Sequence, residues 1–505
     1  MSAQIQALTG ENAIEHDLAV IDIGSNSVRL VHFRMEGRAL WPVFNEKTSA
    51  GLGRGLGTTG KLNAEGVESA LRTLRRFKIL LDAKGVRERI AFATAAVRDA
   101  SDGPEFIARA REEAGIEIEV LTGPAEARLA AMGVLAGAPN ATGATADLGG
   151  SSLEIIPVAR CAPGEGITLP LGPLAVPDNL MSDRKAAKAY IDPALAPAAP
   201  VLKKCGDTLY AVGGSWRALA HLAIAEANYP LRVIHQFQLS RRAAKEIADL
   251  ASRLSVVSLT GIPGISARRA AMLPYAGLLL KRLMRKGKFN RVVFSAFGVR
   301  EGAVFDSLPV EVRKLDPLLA GAEALARPAS PSPNFGRAIA GWLEPVFGDR
   351  DTTFGNRSPL IRASAARLCD VGARHHPDHR AALAQEFALF APFAGITHAE
   401  RAYLGLTLHH RYNGKAQPDD MRVFEHLLDE ESRAWAFAYG LGLRFGAALS
   451  GRSEALLGRF TLSIDEGQLI LCAPEADADL VVERAQYRFE QLAEALDLEA
   501  VVKSV

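Results

Sequence analysis

The 505-residue chain has little net charge, few cysteines and no long apolar run. Lysine plus arginine number 59 and aspartate plus glutamate 57, a formal charge of +2. That balance gives no global field demanding nucleic acid or a membrane surface as partner. No run of 18 apolar residues occurs, which excludes a transmembrane helix. The four cysteines, Cys161, Cys205, Cys369 and Cys472, lie far apart and form no metal-spaced pair. They read as reduced, buried thiols. Met1 to Asp17 is polar and lacks the basic-then-apolar order of a signal peptide, so the expected location is cytoplasmic. There is no low-complexity tract or short-period array. Hydrophobic residues at 48% and charged residues at 23% are ordinary globular values, and the length suits three or four domains.

What is present is a duplication. Asp22-Ile-Gly-Ser-Asn-Ser27 follows the apolar run Leu18–Ile21, and Asp147-Leu-Gly-Gly-Ser-Ser152 leads into Leu153–Ile156. Each reads as strand, tight Gly/Ser turn, strand, with an Asp closing the first strand. Glycines let the backbone approach a phosphate and turn N–H groups toward it. Hydroxyls add donors, and a strand-end Asp can hold Mg²⁺ or a metal-bound water. Two such turns suggest two related domains facing each other across a phosphate.

Strands are expected near 18–23, 28–34 and 39–44. Val67, Leu71, Leu74, Lys78 and Leu81 recur at helical spacing, and Gly85 is placed to stop that helix. Arg89–Thr94 reads as a buried strand. Alternation of Ile116, Ile118 and Val120 with glutamates gives a half-exposed one. A helix is expected from Pro124 to about Ala136. The theme repeats with strands at Leu209–Gly214 and Arg291–Ser295, and alternation of strands with helices argues for α/β layers. The turn Gly213-Gly-Ser-Trp216 sets a helix N-terminus over glycines, favourable to anions. Ala326 to Pro333, rich in Pro, Ala and Ser, reads as a linker or exposed loop. Residues 335–450 read as helical. Short strands follow at Arg459–Ile464 and Gln468–Cys472, then a final strand–helix pair.

The motifs resemble the exopolyphosphatase and guanosine pentaphosphate phosphohydrolase family, of the actin-like phosphotransferase superfamily. The matching residues are Asp22–Ser27 with Arg29-Leu30, Thr94–Arg98, Gly123–Leu129, Asp147–Ser152 with Glu154, Gly213–Ser215 and Gly298–Gly302. Their order and spacing match over about residues 17–310, and more loosely to about 430. The resemblance implies two actin-like (ribonuclease H-like) α/β domains, 1–137 and 138–312, forming a cleft. An all-α His-Asp-like domain, 313–450, and a small α+β domain, 451–505, would follow. It departs from the family where Ala125 replaces the first of two adjacent acids. It departs again at Cys369-Asp370, which stands where a metal-binding His-Asp would be and puts a second metal centre there in doubt.

The expected catalytic carboxylate is Glu126, the family's catalytic acid. Pro124 suits the first helical position, which puts Glu126 in the first turn, where the helix dipole favours its ionised form. A low-pKa Glu126 would orient water for in-line attack, with proton transfer late. Asp147 shares the catalytic role, and Asp22, Asp147 and Glu126 are the candidate Mg²⁺ ligands. Gly24, Ser25, Asn26 and Ser27 would cradle phosphate with Gly149, Gly150 and Ser151, and Gly214 and Ser215 would close the far wall. Arg98 is read as a bidentate phosphate contact, with a surface pair to Asp99 as the alternative. Arg217 reads equally as a phosphate contact or a surface charge, and Glu301 as structural.

Seven histidines fall between 375 and 426: His375, His376, His379, His398, His409, His410 and His426. Interspersed with Arg367, Arg374, Arg380 and Arg411, they suggest a lane for a polyanion, a solvated helix face or, less readily, a metal site. Lys281-Arg282 and Arg285–Lys288 read as a solvated helix end. The expected function is Mg²⁺-dependent release of terminal phosphate from inorganic polyphosphate. Guanosine pentaphosphate (pppGpp) is the alternative substrate, or both in one site. A homodimer is expected, with no membrane and no specific nucleic acid as partner. A kinase, an ATPase and a non-catalytic sensor are the rival readings.

Overall fold

The computed structural model describes residues 15–159, 161–332 and 334–504. Most of the polar N-terminal segment, and Pro333, lie outside them. Two compact units, Met1–Leu315 and Asp316–Val505, make up the chain.

The first unit holds two sheets. One contains β1 (Glu15–Ile23), β2 (Val28–Glu36), β3 (Ala39–Thr48), then helix α1 (Ala64–Ala83), β4 (Glu88–Ala93) and β5 (Glu119–Val120), in the order β3-β2-β1-β4-β5. Asn63 caps α1 by accepting from the Gly66 amide, and Gly85, at φ +69°, ends it. Leu71, Leu74, Phe77 and Leu81 of α1 pack on Ile21, Leu30 and Ala93. The alternating run at 116–120 gives only two paired residues. Parallel pairing on β4 is limited to Phe92 with Glu119 and Ala93 with Val120. Helix α2 (Gly123–Gly137) begins where Thr122 accepts from the Ala125 amide.

The second sheet contains β6 (Gly143–Leu148), β7 (Leu153–Ala159), β8 (Ala162–Pro163), β9 (Ile167–Leu169) and β10 (Thr208–Val212). Helix α3 (Gly214–Glu226), β11 (Phe237–Ser240), helix α4 (Ala267–Lys286), β12 (Arg291–Phe294) and helix α5 (Val299–Ser307) follow. The order is β11-β12-β10-β6-β7-β8, with β9 on β7. The duplication therefore extends to topology. In both sheets the Asp-bearing strand pairs antiparallel with the strand after its Gly turn. Its other edge pairs parallel with a later strand, β4 or β10. The second sheet adds an antiparallel edge strand, β11. One apolar cluster joins the halves, with Val20, Val31 and Phe92 from one sheet and Ile156, Tyr210 and Val293 from the other. Helices α2 and α5 cross so closely that a Cβ on Gly302 would lie 1.8 Å from the Leu129 carbonyl oxygen.

In the second unit the main helices are α6 (His398–Asn413), α7 (Glu430–Leu449) and α8 (Glu483–Ala495), with a sheet of β13 (Thr461–Asp465), β14 (Gln468–Ala473) and β15 (Glu499–Ser504). The closing pair runs helix first, then strand, because β15 returns parallel to β14 and needs a crossover. The sheet is built into the helical layer. Trp342 Nε1 donates to the Phe460 carbonyl at 3.0 Å, and Phe445 packs on Phe489 at 5.1 Å. The Pro/Ala/Ser stretch lies within this unit, after the helix Pro317–Ala326, rather than between domains.

The expected histidine lane does not form as a continuous face. His398, His409 and His410 are buried, and burial drives His410 down to about 4, leaving a neutral ring at physiological pH. Arg367 and Arg411 are also buried, paired with Glu323 at 3.2 Å and Asp370 at 3.0 Å. His375, His376, His379 and His426 stay exposed. Lys281 and Arg282 are spent on Asp249 and Asp192. Of the cysteines only Cys369 is buried; Cys161 is exposed and the other two are intermediate. No helix among the described residues is long and apolar enough to cross a membrane.

Candidate active site

The two Gly turns are built alike. Gly24 donates to the Ser27 carbonyl and Gly149 to the Ser152 carbonyl, each at 3.0 Å. The carbonyls of Ser25 and Asn26 accept from Gly53 and Gly51. Those of Gly150 and Ser151 accept from Leu174 and Gly172. A trans peptide points its N–H opposite its C=O. The amides of Asn26, Ser27, Ser151 and Ser152 therefore face away from these backing segments. All four residues line one cavity of about 690 Å³. Ser25 Oγ and Ser151 Oγ meet at 2.8 Å, joining the two turns directly.

Gly24, Ser25, Gly149 and Gly150 line the same cavity, as do Gly214 and Ser215 at the start of α3. Gly213 has φ +108°, and a Cβ there would sit 2.4 Å from the Leu148 carbonyl oxygen and 3.2 Å from Asp147 Oδ1. Only glycine lets this turn approach the Asp-bearing strand. Glu301 accepts from the Gly298 amide at 2.9 Å, the structural role expected of it.

Asp22, Glu126 and Asp147 all line the cavity. Glu126 is nearly buried on the first turn of α2, with Arg98 Nη1 at 3.4 Å from Oε2. The expected low pKa does not hold. Burial, then repulsion from Asp147, pushes Glu126 up to about 7 against the pull of Arg98. The dipole of one helix turn is outweighed by desolvation beside a second carboxylate. Burial also lifts Asp147 to about 6 and raises Asp22, while Arg300, 3.7 Å from Asp22, pulls the other way. Glu154, cross-strand partner of Asp147, is raised well above the usual range by burial and by Glu126 and Asp147, and its Oε1 has no hydrogen-bond partner.

Arg98 is not among the cavity-lining residues. Its Nη1 donates to the Leu121 carbonyl at 3.0 Å and to Glu126, and its Nε to Asp99. Its guanidinium lies against the Glu126 carboxylate. Arg217 is no surface charge: it lines the cavity, and its Nε is buried without a partner. Sequence reasoning assigned no role to five further cations there, Arg29, Lys47, Arg268, Arg269 and Arg300. Burial and mutual repulsion lower Arg217 and Lys47, and take Arg29 down to about 10. The spacing Asp22–Arg29, repeated as Asp147–Glu154, was the available signal for Arg29.

Two α/β lobes of one topology, joined at paired glycine turns beside buried carboxylates, make a frame suited to phosphoryl-group chemistry. Comparison with known proteins makes the assignment particular. The model of the Ppx/GppA phosphatase family matches residues 20–311, and that of the exopolyphosphatase C-terminal domain matches 318–500. The chain belongs to the Ppx/GppA phosphatase family, and it is a hydrolase. Exopolyphosphatase 1 of Mycobacterium tuberculosis is 28% identical over 306 residues, covering 58% of this chain and 89% of that protein. Exopolyphosphatase 1 of Mycobacterium leprae is 27% identical over 308 residues, covering 58% and 90%. A crystal structure of the Aquifex aeolicus Ppx/GppA family member aligns with TM-score 0.51 and 25% identity, over 57% of this chain and 96% of that one.

Proposed function

We propose that the chain is an exopolyphosphatase, releasing terminal orthophosphate from inorganic polyphosphate with Mg²⁺. The observation that carries this reading is the cavity's charge pattern. Six cations, depressed by burial and by one another in Arg29, Lys47 and Arg217, stand beside buried carboxylates. A polyanion lying among the cations would relieve their mutual repulsion. The paired Gly turns and Ser215 supply donors to a phosphate, and Glu126 accepts a proton from water as its oxygen attacks the terminal phosphorus. The bridging P–O bond breaks, the shortened chain leaves with the bonding pair as phosphate oxygen, and orthophosphate is the second product. A group raised to about 7 suits proton acceptance near neutrality.

The donor set fits a hard cation. Asp22 and Asp147 line the cavity, and burial raises both more than the neighbouring arginines lower them. Among the described residues no three His, Cys, Asp or Glu form a metal-holding group. Asp22 and Asp147 would therefore hold Mg²⁺ with waters and substrate oxygens, its habitual mode. Glu126 is left to the proton. When bound, the ion would neutralise charge on the phosphate oxygens.

The same residues would serve pppGpp, and six cations on one cavity suit the denser polyanion. The test is phosphate release with Mg²⁺ from long-chain polyphosphate and pppGpp side by side, with Glu126→Gln as control. Faster Glu126-dependent release from polyphosphate supports the reading; preference for pppGpp moves the substrate to the nucleotide. The homodimer remains part of the proposal and is checked by light scattering.

A further inference from the structure

The second unit carries a pocket that the hydrolase reading does not use. It has a volume of about 430 Å³ and is lined by Arg380, Arg411, Arg444, Arg452, Arg484 and Arg488. The C-terminal turn of α6, α7 and the first turns of α8 contribute the central four, so the arginines converge from separate parts of the chain. Only part of this charge is answered. Asp370 lies 3.0 Å from Arg411 and 3.5 Å from Arg452, and Asp378, an exposed residue, is the acid on the lining. Among the described residues no carboxylate lies within ion-pair distance of Arg444, Arg484 or Arg488.

The geometry shows what holds the arginines together. Arg444 donates to the Tyr412 carbonyl, Arg488 Nη1 to the Arg444 carbonyl at 3.4 Å, and Arg380 Nε to the His375 carbonyl at 2.9 Å. Each uses one nitrogen on backbone and keeps others for a ligand. Nε of Arg411 and of Arg444 is buried with no hydrogen-bond partner. Burial and the other arginines bring Arg488 down to about 10 and lower Arg444. A protein does not collect unpaired guanidinium groups in a recess without an anion to place among them. Planar guanidinium forks suit phosphate oxygens, and several around one recess suit a ligand with several phosphates.

We propose that this pocket is a binding site for a compact oligophosphate anion, either an inorganic oligophosphate or the phosphate tail of a nucleotide. The site stands independently of which substrate the cleft of the first unit hydrolyses. Tyr412, also on the lining, gives a base one surface to rest on.

The test uses the full chain carrying Glu126→Gln, so that ligand is not consumed. Tripolyphosphate and adenosine 5′-triphosphate are each titrated by calorimetry without metal. Arg484→Gln plus Arg488→Gln is expected to weaken one binding event at least tenfold, the effect of losing a charge-assisted contact. Arg217→Gln plus Arg269→Gln, in the cleft, is expected to leave that event intact. Equal affinity for the two ligands supports recognition of phosphate alone, tighter adenosine 5′-triphosphate binding supports a nucleotide, and tighter tripolyphosphate binding supports an inorganic oligophosphate. Absence of any event insensitive to the cleft substitutions overturns the proposal. So does an unchanged isotherm in the arginine double variant. Arg484 is exposed, so Arg484→Gln alone keeps the fold intact, and it must still weaken the event.

Discussion

At the scale of single residues, the proposed reaction turns on Glu126 and on the neighbour that holds it. Glu126→Gln keeps the shape and removes the proton acceptor, so kcat is expected to fall about 10²- to 10⁴-fold; a smaller loss in a phosphate-release assay would sink the assignment. Glu126 rises to about 7, so the rate should drop as pH falls through that region, where its carboxylate is protonated. Arg98 pulls Glu126 down. Arg98→Ala should therefore move the acidic limb of the pH–rate profile to higher pH, and Arg98→Lys should restore part of the shift. An arginine that merely packs would lower the rate without moving the limb. The position of Glu126 was legible in the sequence, because Pro124 marks a helix start. Its pKa was not, because desolvation and the approach of Asp147 arise only when two distant segments meet. Arg217 stayed undecided between cavity and surface for the same reason: sequence spacing gives the face of a helix and not what the face looks upon.

At the scale of elements, the duplicated strand–turn–strand was plain in the sequence because glycine and aspartate at fixed offsets carry the turn chemistry in themselves. Helix α1 was equally plain from its period and its Gly85 stop. The tail was harder. A helix–strand order and its packing on the helical layer depend on a parallel pairing between β14 and β15 that leaves no local mark. The histidines misled because helices buried on all sides, such as α6, lose the polar–apolar alternation that separates a lane from a core. Close approach of elements is testable directly. Gly302→Ala places a methyl against the Leu129 carbonyl and is expected to lower stability by about 1–3 kcal/mol, read as a fall in the thermal midpoint. Gly213→Ala forces a strained φ beside Asp147. It should raise KM for phosphate substrates as well as lower stability, since the turn it distorts lines the cavity.

At the scale of the whole molecule, the carboxylates and cations set opposite dependences. Glu126 and Asp147 stand at about 7 and about 6, above their ordinary 4.5 and 3.8. The folded state thus keeps protons the unfolded chain releases. Their contribution to stability is fully present below about pH 4 and is lost as pH rises through 6 and 7. The proposed Mg²⁺ would replace those protons. The rise in thermal midpoint on adding Mg²⁺ is expected to be larger at pH 8 than at pH 5.5, and a chelator should reverse it; an equal rise at both pH values would place the ion elsewhere. The six cavity cations predict that KM for polyphosphate climbs with ionic strength while kcat changes less. The pairing of Arg29 with Asp22, against that of Glu154 with Asp147, has a further consequence. Two lobes of one topology make a frame without a front or a back. Exchanging a cation for an acid at one matched position breaks that equivalence. It gives the cleft a direction, with a cation beside the strand-end Asp of one lobe and an acid beside that of the other.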